Sequence, residues 1–162
     1  MTTEKVNLKN LLCLSLLLLT VLLCNACGSK IIRGASPIVR LTELSHQENN
    51  INLQLSIRNL NGVDLDVTSI DFSLTMNESE DELFAYEGPV NTNIIANGTE
   101  TWSVEVMESE TSRELLDSLE NGDIKSLPYK LKGSVYSKDD GKLRFEYEGH
   151  IYPLPGKPGH FR

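Results

Sequence analysis

The chain is 162 residues long, with 15 Lys and Arg against 23 Asp and Glu, a formal charge of −8. With 40% hydrophobic and 23% charged residues it is globular in composition, which excludes a disordered or fibrous chain. An acidic balance without a basic run excludes the clustered Lys and Arg that phosphate neutralisation requires, so no nucleic-acid partner is expected.

The N-terminal residues carry Lys5 and Lys9 against one Glu4, and Leu11 to Cys24 is a run without charge. A membrane-spanning helix needs about 20 apolar residues and a signal h-region about 7–15, so the run predicts a cleaved signal and not a permanent span. Cys24-Asn25-Ala26-Cys27-Gly28-Ser29 follows. It resembles a bacterial lipobox, with small Ala26 before the cysteine and small residues after it; Cys24 stands where Leu is usual. That resemblance implies cleavage before Cys27, a diacylglyceryl group on its thiol, and stable anchoring by two or more acyl chains. Gly28 is not the Asp that retains such lipoproteins in the inner membrane of enteric bacteria, so the implied destination is the periplasmic face of the outer membrane.

The expected organisation is a signal peptide over 1–26, a lipidated Cys27 with a tether over 27–35, a folded domain over 36–155, and a flexible C-terminal tail over 156–162. Cys13 and Cys24 leave with the signal, so the folded domain contains no cysteine. Disulfides, thiol nucleophiles and thiolate metal sites are excluded with them.

Within the domain, Ile51, Leu53, Leu55 and Ile57 alternate with polar residues, the period of a half-buried strand. Asn59-Leu60-Asn61-Gly62 is a turn cluster. Leu65 and Val67 are odd-numbered but Ile70, Phe72, Leu74 and Met76 even, which predicts a bulge near Thr68-Ser69. Asn77 to Asp81 reads as a polar turn before Leu83, Phe84 and Tyr86, and Asn97-Gly98 as another turn before alternating Trp102, Val104 and Val106. Thr111-Ser112-Arg113-Glu114 has capping-box spacing; Leu115, Leu116 and Leu119 share a helical face, and Gly122 closes a short helix. Tyr129, Leu131 and Val135 resume a strand, Asp139-Asp140-Gly141 is a hairpin turn, and Leu143, Phe145, Tyr147 and Ile151 form the last strand. About seven strands with one short α-helix predict a mainly β fold, an immunoglobulin- or fibronectin-III-like β-sandwich.

The order of segments resembles the group-2 late-embryogenesis-abundant family, also known as the water-stress-and-hypersensitive-response domain. Leu41-Thr42-Glu43-Leu44, the Asn59-Leu60-Asn61 turn, Ala96-Asn97-Gly98-Thr99, Trp102 to Val106, Pro128 to Gly133 and Tyr152-Pro153-Leu154-Pro155 carry the resemblance over roughly 36–155. In the family the turn is often Asn-Pro-Asn, with Leu60 here in place of the proline. The resemblance implies a β-sandwich with one helix, a structural role for Asn59 and Asn61, and a non-enzymatic role in stress or desiccation tolerance.

Candidate catalytic groups are sparse. His46, His150 and His160 show no zinc-helix spacing and are expected to be exposed and structurally neutral. The chain also lacks a glycine-rich phosphate loop and a G-x-S-x-G elbow. Glu78-Ser79-Glu80-Asp81-Glu82 lacks calcium-loop spacing and reads as a solvated hairpin tip. A non-enzymatic protein is expected, with no cofactor, no metal and no small-molecule substrate. Its expected partners are the membrane, through lipid on Cys27, and an envelope protein. The second would fit an alternative role as an interaction or spacer module. Trp102 reads as a core residue, while Tyr129, Tyr136, Tyr147 and Tyr152 fit either core edges or an exposed docking strip.

Overall fold

Two antiparallel sheets face each other in the computed structural model, which describes residues 32–47, 50–76 and 82–162. The strands are β1 (Ile38–Gln47), β2 (Asn50–Arg58), β3 (Leu65–Met76), β4 (Glu82–Ile94), β5 (Thr99–Met107), β6 (Leu127–Ser137), β7 (Gly141–Ile151) and the two-residue β8 (His160–Phe161). One sheet runs β5-β2-β1-β8 and the other β4-β3-β6-β7. Among the described residues one helix, α1 (Glu110–Glu120), carries the chain from β5 in the first sheet to β6 in the second.

The inward residues are those that alternation marks. Ile51, Leu53, Leu55 and Ile57 of β2 are fully buried, and so are Ile70 and Leu74 of β3 and Leu131 and Val135 of β6. Each such side chain contributes about 1.5–3 kcal/mol of burial. The face switch in β3 is a bulge: the register with both β4 and β6 shifts between Val67 and Ser69, returning Ile70 to the core. On β4 Val90 and Asn91 together stand opposite Thr68, with Asn91 at φ 48°, a conformation Asn tolerates well. A second bulge, between Leu41 and Glu43 of β1, lets Val39 and Leu44 both point inward despite opposite parity. The same signal was present in the sequence as the spacing of those two residues.

Three expectations are corrected. The helix starts earlier than Thr111-to-Glu114 spacing suggests: Ser109 is the N-cap, accepting from the Ser112 N–H at 3.0 Å, while the Ser109 N–H donates to Ser112 Oγ at 2.9 Å. A serine at the third helical position completes the box as a glutamate would, and Thr111 is left exposed. The helix ends as expected, with Gly122 at φ 82°.

The tail over 156–162 is not a free extension. Its end is β8, antiparallel to β1 through Leu44–Phe161 and Ser45–His160, and Phe161 is 1% exposed. Burial of one aromatic ring outweighs what the Pro- and Gly-rich composition suggests. The tether over 27–35 is partly fixed as well: the Gly62 N–H donates to Ile32 O, and the Ala35 N–H to Asn61 Oδ1 at 2.8 Å. The turn read at Asn77 to Asp81 lies outside the described residues.

The sandwich has two poles. At one, the N-terminal chain joins β1, and the β2–β3, β4–β5 and β6–β7 connections gather. At the other lie α1 and the β7–β8 connection.

Candidate functional site

Cys27, the one residue the sequence assigns to anchoring, lies outside the described residues. Within the described residues, the asparagine turn stands at the pole where the segment from Ile32 leads into β1. Asn59 and Asn61 are both fully buried. The Asn59 amide nitrogen donates to the carbonyls of Val63, Ile94 and Ile95 at 2.8, 3.1 and 3.2 Å, while its Oδ1 accepts from the Asn61 N–H at 2.8 Å. Asn61 in turn pairs with Ala35 in both directions, N–H to Oδ1 and Nδ2 to carbonyl. Two side chains thus satisfy backbone groups of the β2–β3 loop, the β4–β5 loop and the N-terminal segment, groups that would otherwise be buried unpaired. The role is structural, as the resemblance implies.

The opposite pole holds the ionisable cluster. Glu108, just before the helix cap, has a carboxylate only 2% exposed; Arg113 Nε donates to its Oε2 at 2.7 Å, which raises the guanidinium further above its already high value. His46 Nε2 lies 2.9 Å from Glu108 Oε1, and neither atom makes a hydrogen bond. His160 Nδ1 sits 2.9 Å from Glu43 Oε1, and the Gly159 N–H donates to Glu120. His46 and His160 are therefore half-buried and paired, contrary to the expectation of exposed histidines; only His150 is exposed, stacked on Tyr152. These contacts join β1, the helix and the tail, and present no nucleophile beside a base.

The outer face of the β4-β3-β6-β7 sheet is laced with charge. Lys130 bridges Glu146 and Glu148 at 2.8 Å each, which raises the ammonium and lowers Glu146 from its ordinary value. Tyr136 donates to Asp71 at 2.7 Å, with Lys142 over its ring. Beside them, Asp71, Ser73, Ala85, Glu87 and Lys132 line a shallow open depression with no buried polar group aimed into it. Among the described residues no three His, Cys, Asp or Glu side chains gather as a metal site needs.

The aromatics divide between core and surface. Trp102 is half-buried, edge-on to Tyr86 at 5.2 Å, so it packs against the core as alternation predicts. Tyr129 is buried, and burial first, then Tyr147, pushes its hydroxyl up to about 12. Tyr147 lies under Arg40, 5.0 Å from guanidinium to ring centre, and Tyr152 is exposed. The four tyrosines therefore form no continuous strip. Gly133, the last residue of the Pro128-to-Gly133 run, explains that motif physically. A Cβ there would strike the Asp71 carbonyl and come within 2.8 Å of Phe145 Cζ and of the Phe72 backbone.

These features define an immunoglobulin-like β-sandwich whose organised polar groups serve its architecture. Its fold is shared with the solved structure of AT1g01470 from Arabidopsis thaliana, at TM-score 0.54 and 13% identity over 82% of this chain and 91% of that one. A protein from Archaeoglobus fulgidus is also similar, at TM-score 0.45 and 13% identity over 72% of this chain and 95% of that one. So is the late embryogenesis abundant protein At2g46140.1, at 0.45 and 12% over 76% and 75%. No family profile and no curated protein matches the sequence.

Proposed function

We propose that this chain is a non-enzymatic lipoprotein of the bacterial cell envelope, anchored through Cys27 and acting in stress or desiccation tolerance. The observation that carries the reading is the placement of the family-like segments. Asn59 and Asn61 are the two buried asparagines among the described residues, and Pro128 to Gly133 lies in a central strand against the Phe72 backbone. The sandwich shared with AT1g01470 agrees with the same resemblance at the level of fold. Anchoring is supported by the charge-free run and the Cys24-to-Ser29 motif. The outer membrane is the destination that Gly28 favours, and an acidic mature chain beside it stays hydrated.

The test is survival of a deletion strain after drying and osmotic shock, complemented with wild type or with Cys27→Ala, with membrane fractionation in parallel. The expected result is a survival defect rescued by wild type, with Cys27→Ala released from the membrane fraction. A deletion strain that survives drying as the parent does would remove the stress role. Membrane retention of Cys27→Ala would remove the anchor.

A further inference from the structure

We infer that the pole holding the asparagine turn is a lipid-contact surface, with Ile32 and Ile95 seated in the headgroup boundary of the membrane that carries the anchor. This rests on the lipoprotein reading of Cys27.

Four large hydrophobic side chains are exposed among the described residues, and two of them, Ile32 at 56% and Ile95 at 63%, belong to this pole. Their backbones are held to the same loop. Ile32 O accepts from Gly62, and Ile95 O accepts from the Asn59 amide that also holds Val63. The apolar tip is thus presented by loops that buried asparagines hold in place, which lowers the ordering cost of inserting it. Ile32 is five residue steps beyond Cys27, a reach of at most about 18 Å when fully extended. β5 runs from this pole to Met107 at the other, roughly 26 Å at about 3.3 Å per residue. A tether shorter than the sandwich keeps this pole, not the opposite one, beside the lipid.

The charges around the tip set its depth. Arg33 and Arg58 are exposed at the same pole and suit headgroup phosphates. Asp64 and Asp139 are exposed there too, and carboxylates resist entry into hydrocarbon. The contact is therefore shallow, the geometry of an interfacial anchor.

The experiment uses the full chain, expressed in a bacterial envelope and purified with its anchor. Ile95→Cys or Met107→Cys supplies a thiol for an environment-sensitive fluorophore. The protein is reconstituted into phosphatidylethanolamine–phosphatidylglycerol vesicles, with and without spin-labelled acyl chains. The expected result is blue-shifted emission at position 95, mostly lost with the spin-labelled lipid, and water-like unquenched emission at position 107. Adding Ile32→Asp should restore emission at 95 while the protein still floats with the vesicles. Flotation with water-like emission at both positions would overturn the lipid-contact pole and leave the anchor standing. A blue shift at 95 that lipid does not quench would also overturn it, assigning the tip to a protein contact. Failure to float, with Cys27 unmodified, would overturn the lipoprotein reading and the pole together.

Discussion

Asn59 places two amide protons among three carbonyl oxygens, so one proton is shared and the whole group is committed. Asn59→Ala should cost roughly 2–3 kcal/mol, because buried acceptors lose their donor. Asn59→Asp, nearly identical in shape, should cost more, since it turns an oxygen toward those carbonyls. Chemical denaturation followed by the single tryptophan, Trp102, would check both, and equal stability of the three proteins would refute the pairing. Gly133→Ala should cost at least about 1–3 kcal/mol, because the added methyl runs into the Asp71 carbonyl and the Phe72 backbone as well as the Phe145 ring. Tyr129 adds a pH dependence. Its hydroxyl is pushed up to about 12 from 10.0, so between those values the unfolded chain loses a proton that the folded one keeps. Stability should therefore fall as pH rises from about 10 to 12, and Tyr129→Phe should flatten that fall in denaturation midpoints. At this scale the sequence showed which residues turn the chain but not which are buried. The acceptors of Asn59 stand up to 36 residues away, beyond any local pattern.

At the scale of elements, strands that bury one face announced themselves through alternation, and the bulge at Thr68-Ser69 through its break in parity. β8 had no such announcement, because two residues cannot show a period and their flanks are rich in Pro and Gly. It is held by one ring in a core built by distant strands and by backbone hydrogen bonds to His46, Tyr152 and Leu154. Phe161→Ala should therefore destabilise the whole domain by about 3 kcal/mol, and truncation after Leu154 by at least as much. Thermal unfolding of either variant at the wild-type midpoint would contradict the docked tail. The helix was legible in its apolar face, and its start was displaced because Ser109 and Ser112 cap each other as effectively as the pair the spacing suggested.

Across the whole molecule, the separation of poles organises the properties that single residues do not. The proposed lipid contact uses two isoleucines at one pole, while the Glu108, His46 and Arg113 cluster stands at the other. Lengthening the stretch between Cys27 and Ile32 by ten Gly and Ser residues should leave membrane fractionation unchanged and weaken lipid quenching at position 95, because a longer flexible link lowers the effective concentration of the tip at the surface. Unchanged quenching would show that the pole holds lipid without help from a short tether. The hydrogen bonds of Ile32 and Ala35 have a mechanical consequence as well. A pull on the N-terminal chain does not first unzip β1 rung by rung from β2; it meets Gly62 and Asn61. Through Asn59 the load then spreads to Ile94 at the end of β4 and to Gly98 just before β5, and so to both sheets at once. The turn works as a strain relief, like the clamp where a cable enters its housing, and a tug on the leash is spent before it reaches the first strand.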